Sequence, residues 1–423
     1  PNSEFQIDKT KLVKYTGTAT SVSIPASVKT IGAEAFAGNT TLTSISIGEN
    51  VTEIEYGAFK DCSYLSNIKL SDSLTTIGNA VFSNNTSLKE IVLPKNLKNL
   101  GSGVFAGCDK LTNIIINEKA INKNATDGKE TTYTTINKDT TITIKAKEDI
   151  YGIYIIYEYS SKTGTLAGNG KIANIGQNNF LHEYIDINSL LGPSKELLLT
   201  YNEDVKIADI YILNEGELPD FVEVWQPSCD VADLLLFTTH SDDEQLFFLG
   251  LLPTYVARGA NVQVAYYVNH FDNPKRLHEQ LHGLYKVGIR NYPVIGIIPD
   301  AYSESLNGAI KNIEKVGLTV DDGINYQVEI IRRFKPSVVV GHDELGEYSH
   351  GQHILNTHTL KIALEKTNDK TYHEESYNKY GLWDTPKTYI HLYKENQIII
   401  FTCSNREKEI LKELNIEYNL VEL

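Results

Sequence analysis

The stretch ADLLLFTTHSDDEQLFFLGLLPTYVARGANVQVAYYV, residues 232–268, decides how the second half of the chain is read. Its opening ADLLLF is continuously apolar, as in a strand covered on both faces. EQLFFLGLLPTYVARG predicts a helix ending at Gly259, and NVQVAYYV predicts a second strand. The alternation continues downstream. PKRLHEQLHGLYKVG predicts a helix, YPVIGII a strand, INYQVEIIRRFKP a helix stopped at Pro336, and SVVVGHD a fourth strand. Strands alternating with helices imply a parallel α/β sheet, and ligands of such sheets bind at the carboxyl ends of the strands. HSDDE follows the first strand, and GHDELGEYSHGQH follows the fourth.

Those two ends carry the chemistry. Three carboxylates beside one imidazole, at His240, Asp242, Asp243 and Glu244, repel one another unless they face water or surround a cation. The first alternative is a solvated helix start, where acidic side chains favour the dipole. The second is a metal site. His240 and Asp243 lie three residues apart, as do His350 and His353, and residues at that spacing share a helix face. Two such pairs at two strand ends can close on one ion. Imidazole nitrogen and carboxylate oxygen are zinc ligands, and a catalytic zinc keeps one position for water. His270, at the end of the second strand, is expected to line the pocket, and His342 to support a ligand from behind. His278, His282, His358, His373 and His391 read as surface or packing residues.

The first quarter has a different texture. Phe36, Phe59, Phe82 and Phe105 recur every 23 residues, and Leu42, Leu65, Leu88 and Leu111 keep the same step. LTSISI, LSNIKL, LKEIVL and LTNIII alternate like short strands, one per unit. Such units cannot bury their apolar side alone, and stacking gives them a shared core. IGAEAFAGNTTL and LGSGVFAGCDKL resemble the leucine-rich repeats of the BspA type, so residues 1–120 are expected to form a solenoid. The resemblance implies a secreted or cell-surface chain whose repeats meet a host or surface protein or a glycan. Asn39, Cys62, Asn85 and Cys108 share one inward-pointing column. Two solenoid turns separate the cysteines by about 10 Å, beyond disulfide reach, so no bridge is expected.

Residues 121–144 turn polar, and DIYGIYIIYEY, ELLLTY and KIADIYIL then read as strands separated by turns. Residues 121–221 are thus expected to form a β-sandwich, with its many tyrosines open to a carbohydrate-binding role. Residues 222–423 form the third domain.

At 423 residues the chain exceeds one ordinary core, and its formal charge of −15 lacks the basic face of a nucleic-acid binder. No apolar run approaches the roughly 20 residues of a transmembrane helix. Four scattered cysteines, none in a CxxC pair, make neither a disulfide framework nor a thiolate zinc site. The chain begins at Pro1 and contains no methionine, which predicts a processed or trimmed segment.

HSDDE, RLHEQLHGLYKVGI and GEYSHGQH together resemble the PIG-L and LmbE family of zinc-dependent de-N-acetylases, over roughly Val222 to Phe401. The resemblance implies a Rossmann-like sheet. It implies that His240, Asp243 and His353 bind Zn2+ and that Asp242 is the general base. His350 would be the electrophile or acid, with Tyr348 nearby. Arg276 and Asp300 match positions that grip sugar hydroxyls. The implied reaction removes acetyl from an N-acetylated sugar (an N-acetylglucosaminyl glycan, glycolipid or cell-wall fragment) by attack of zinc-activated water. Ser241 stands where the family usually has proline, Gly351 and Gln352 replace a Pro-Asp pair, and residues 401–423 lack the family's longer tail. The competing class is a surface adhesin or glycan-binding protein with an inactive deacetylase-like domain. Zinc content and acetate release separate the two.

Overall fold

The computed structural model describes residues 4–117 except 95, 98 and 102, residues 133–392 except 249, and the backbone of 397–402. The chain divides into two compact units, Pro1–Trp225 and Gln226–Leu423.

In the first unit the 23-residue period becomes a column of rings. Phe36, Phe59, Phe82 and Phe105 are buried and stack in sequence, with centroids 4.9, 5.7 and 6.2 Å apart. Tyr15 heads the column, 4.9 Å above Phe36. Two-residue strands, Thr30–Ile31, Glu53–Ile54, Thr76–Ile77 and Asn99–Leu100, pair in parallel along one side. An antiparallel hairpin, Phe5–Asp8 with Lys11–Tyr15, covers their open edge. Capping of this kind stops a repeat array from growing end to end. Cys62 and Cys108 are buried and free, and each thiol donates to a carbonyl of a preceding repeat, Phe36 O at 3.2 Å and Phe82 O at 3.0 Å.

The repeats and the β-rich stretch, expected as separate domains, lie within this one unit. Glu90–Leu93 and Asn113–Asn117, the strands of the last two repeats, pair in parallel. Thr141–Ile150 then joins Asn113–Asn117 in parallel, with Ile142 opposite Ile114 and Ile144 opposite Ile116. Ser194–Tyr201, Gly164–Gly168 and Lys171–Ile175 complete a six-stranded sheet. A second sheet of four strands contains Gly152–Tyr157 and Val205–Leu213. Buried residues of the repeats and of both sheets form one continuous hydrophobic core. The physical reason is the exposed end of the repeat ladder: an unpaired parallel edge needs a cover, and Thr141–Ile150 supplies it. The expected boundary at residues 120 and 121 lies outside the described residues.

The second unit is built on a five-stranded sheet in the order Val262–Tyr266, Leu234–Thr238, Val338–Gly341, Lys387–Leu392, Gln397–Thr402. The first four strands are parallel and the last is antiparallel. Leu234–Thr238 is wholly buried, as its unbroken apolar run requires. Helices Pro274–Lys286, Val320–Phe334 and Gly351–Lys366 occupy the connections. Val320–Phe334 begins in a capping box, Thr319 with Asp322, and ends where Lys335 turns left-handed before Pro336.

Two local expectations fail. The helix expected from EQLFFLGLLPTYVARG is broken into Asp243–Leu246 and Leu251–Ala257. YPVIGII makes only isolated bridges, Ala265 with Val294 and Val268 with Ile298. Pro293 has no backbone N–H to give to a ladder, and Gly296 lies so close to Tyr267 that a Cβ would overlap its backbone.

Candidate metal centre

The Leu234–Thr238 strand sits in the sheet between the strand that follows it and Val338–Gly341. The chain therefore leaves Leu234–Thr238 toward one side and returns on its other side. That reversal opens a crevice at the carboxyl end of Leu234–Thr238. HSDDE lies at this point, and the Val338–Gly341 strand leads through a loop to His350 and to His353 in the first turn of the helix Gly351–Lys366.

The three carboxylates of HSDDE part company here. Asp243 is buried, and its Oδ2 accepts the backbone N–H of His240 at 2.7 Å. Asp242 is half-exposed, with Oδ1 3.2 Å from an Arg276 terminal nitrogen. Glu244 points into the interior, where burial pushes its carboxyl up to about 8. Repulsion within the run is avoided by sending its members to three environments.

Around Asp243 the imidazoles converge. Its Oδ2 lies 3.2 Å from His353 Nε2 and 3.5 Å from His240 Nδ1, and those two nitrogens are 3.0 Å apart. A tetrahedral zinc with nitrogen and oxygen ligands at about 2.0–2.2 Å separates its ligand atoms by about 3.3–3.6 Å, within about 0.3 Å of this triangle. His350 extends the group, since His240, His350 and His353 bring ring nitrogens within 4.8 Å of one another. Asp243, His342 and His353 make a second such group. His342 Nε2, however, accepts the backbone N–H of Thr239 at 3.1 Å, so its lone pair is engaged. The donor set of His240, Asp243 and His353 fits an ion better.

The electrostatics follow from burial against pairing. Burial disfavours a charge on His240, but hydrogen bonds to Asp243 and Asp300 outweigh it and raise the imidazole to about 10. His353 is raised in the same way, against its burial, by Asp243 and Glu347. Asp243 is held well below the usual carboxylate range, its burial overcome by His240 and His353. Protons here occupy the place that a cation of higher charge would take. Among the described residues no carboxylate lies at hydrogen-bond distance of His350, and burial lowers it to about 4.

Behind this layer stands Glu347, fully buried and not singled out from sequence. Its Oε2 accepts from His342 Nδ1 at 2.7 Å and His353 Nδ1 at 2.9 Å, and its Oε1 lies 2.9 Å from His391 Nδ1. His391, expected as an ordinary packing residue, thus belongs to the support of the cluster. His278 is buried packing, and His358 is exposed. The signal for Glu347 was available: it lies three residues before His350, the spacing already seen in both pairs.

Other residues named from sequence fall as follows. Arg276 meets Asp242, as described. Asp300 lies 3.5 Å from His240 Nε2 and 3.3 Å from His270 Nδ1, and its pairing with these two imidazoles holds its carboxyl well below the usual range. His270 is buried, with Nε2 accepting the Ser241 N–H at 3.2 Å. Tyr348 is 69% exposed with φ 54°, and Ser349 follows at φ 57°. Two successive side-chain-bearing residues in the left-handed region are strained, and such strain gathers at functional loops.

Residues 9–132 match the BspA type Leucine rich repeat region in six copies. A 1D-myo-inositol 2-acetamido-2-deoxy-alpha-D-glucopyranoside deacetylase 2 of Saccharopolyspora erythraea is 41% identical over 69 residues, 16% of this chain and 24% of that protein. The corresponding deacetylase of Geodermatophilus obscurus is 26% identical over 179 residues, 37% of this chain and 60% of that protein. The chain thus spans less than two thirds of either relative. Among solved structures, N,N'-diacetylchitobiose deacetylase from Pyrococcus horikoshii aligns with 14% identity over 44% of this chain and 69% of that one, with a TM-score of 0.31.

Proposed function

We propose that this chain, which joins BspA-type repeats to a domain similar to the LmbE and PIG-L deacetylases, is a metal-dependent hydrolase that removes acetyl from an N-acetylated sugar. The observation that carries the proposal is the triangle of His240 Nδ1, Asp243 Oδ2 and His353 Nε2, with sides of 3.0, 3.2 and 3.5 Å. In this reading those three residues hold the ion, and zinc suits the donor set. When bound, such an ion supplies Lewis acidity toward an amide carbonyl and brings the pKa of water toward neutrality.

The protein groups then divide the work. Asp242 is not a ligand, because its carboxylate is half-exposed and turned to Arg276, so it takes the proton from the attacking water. Arg276 keeps that carboxylate in place until substrate arrives. His350, neutral because burial lowers it to about 4, donates a hydrogen bond to the developing oxyanion. Tyr348, two residues before it and largely exposed, can meet substrate. Asp300 accepts from sugar hydroxyls, and buried His270 steadies Asp300 from behind. The domains in this reading are 1–120, 121–221 and 222–423, with the first two sharing one core. The repeats hold the enzyme at a cell surface and bind a surface protein or glycan there.

Two neighbouring substitutions test the reading. Asp242→Asn should keep zinc and lose acetate release by about 10²–10⁴-fold. Asp243→Asn should instead lose zinc. Acetate is measured on chitooligosaccharides, peptidoglycan fragments and N-acetylglucosaminyl lipids, and zinc by metal analysis. If both variants retain zinc and activity alike, the hydrolase reading is wrong and the adhesin reading takes its place.

A further inference from the structure

Gln352 is fully buried beside the triangle, at a position that no role above assigns. Its Nε2 donates to the Pro299 carbonyl at 2.8 Å. Facing a carbonyl, that end of the amide must be nitrogen, so the other end is oxygen. Oε1 accepts the Ala301 N–H at 3.1 Å and lies 3.1 Å from His240 Nε2. An oxygen acceptor facing His240 Nε2 requires a hydrogen on that nitrogen. When a metal replaces the second proton of His240, the lone pair is then on Nδ1, the atom 3.0 Å from His353 Nε2.

We infer that Gln352 is a positioning residue, whose amide fixes His240 so that Nδ1, and not Nε2, is offered to the ion. The inference rests on the metal reading above. Asp300 Oδ1 is the other acceptor near His240 Nε2, at the longer distance of 3.5 Å. The amide takes the shorter contact, and the Asp300 carboxylate also reaches His270 and faces the open side of the site. Glu347 does the opposite for His353: it accepts from Nδ1 and leaves Nε2 for the ion. The two imidazoles thus present different nitrogens, each selected by one buried partner. The same amide ties residues 299–301 to the helix that bears His353.

Two variants separate positioning from mere structure. Gln352→Met keeps the volume and removes the acceptor. Gln352→Glu keeps an acceptor for His240 but sets a second oxygen against the Pro299 carbonyl. Both should melt below the parent when metal-free. Zinc affinity, read by chelator competition, should fall about 10–100-fold in Gln352→Met and stay within about threefold of the parent in Gln352→Glu. A merely structural residue predicts that affinity follows stability, so equal losses or equal retention in both variants would overturn the inference. Nitrogen-15 NMR of the zinc-loaded parent gives the answer without any substitution. His240 should show hydrogen on Nε2 and the metal on Nδ1, and the reverse would overturn it. Failure of the parent itself to bind zinc refutes the metal reading, a result distinct from either of these.

Discussion

Replacing Glu347 by glutamine probes the support beneath the cluster. The carboxylate accepts on four sides: His342 Nδ1 and His353 Nδ1 on Oε2, and His391 Nδ1 and the Asp343 N–H, at 3.2 Å, on Oε1. An amide has one oxygen. If its NH2 turns to His391 and Asp343, the buried Asp343 N–H loses its acceptor, at about 1–3 kcal/mol. If it turns to His342 and His353, the donor that orients His353 meets another donor. That orientation is worth about 10–100-fold in metal affinity, or about 1.4–2.7 kcal/mol. Lost charge pairing with the imidazoles adds to either outcome. We expect a metal-free protein about 2–4 kcal/mol less stable by urea denaturation and a zinc affinity at least 10-fold weaker by chelator competition. Burial alone would raise the Glu347 carboxyl, but His342, His353 and His391 hold it well below the usual range. A lowered folded value means that its stabilisation is fully present above the ordinary glutamate pKa of about 4.3 and is lost as pH falls below it. Glu347 also raises His353, a contribution fully present only below the ordinary histidine pKa of about 6.5. The parent-to-variant difference should therefore be at least as large at pH 5.5 as at pH 7. Parent-like stability together with parent-like zinc affinity would refute the reasoning.

Arg332 is buried and gives hydrogen bonds to five carbonyls, those of Lys366, Thr367, Asp369, Tyr372 and His373. Arg332→Lys keeps the charge but not the fork, and should cost about 2–4 kcal/mol in urea denaturation; a change under about 0.5 kcal/mol would show the fork to be dispensable. Cys62 and Cys108, whose thiols burial pushes up to about 11, should resist iodoacetamide at pH 8 until denaturant is added, as mapped by peptide mass spectrometry. Deleting residues 1–120 removes the strand that covers Ile142 and Ile144, so that product should be insoluble, whereas residues 226–423 alone should give a cooperative melt. A soluble, cooperatively folded product of the first deletion would show that the shared core is not needed.

Periodic features were legible in sequence because their physics is local. The 23-residue step placed Phe36 through Phe105 in one column, and continuous apolar runs placed Leu234–Thr238 and Val338–Gly341 inside a sheet. Two spacings and a topology pointed to His240, Asp243, His350 and His353 as one group, and the choice of His240, Asp243 and His353 within it is what the family resemblance implies. Features that depend on partners distant in sequence were not legible. Gln352 looks like an ordinary helix residue, and Glu347 offers only its spacing from His350, until the strand order brings His240, His391 and residues 299–301 against them. The shared sheet was hidden by the polar residues 121–132, whose composition marks a boundary although pairing resumes beyond them. The strand expected at YPVIGII failed because apolar content does not reveal a missing N–H or a close backbone approach at a glycine.

The ring column also bears on how such a chain changes over generations. Each phenylalanine stacks only on its immediate neighbours, and each repeat hands the next an equivalent surface. Unequal recombination that inserts or drops a whole 23-residue block therefore leaves every remaining junction chemically familiar. The solenoid's length becomes a counted quantity, adjustable in steps of about 4.8 Å, while the hairpin of Phe5–Asp8 and Lys11–Tyr15 still closes the end. Insertions of any other size would break the register of the rings and be purged. The repeat array can thus change in copy number with no compensating change required at His240, Asp243 or His353.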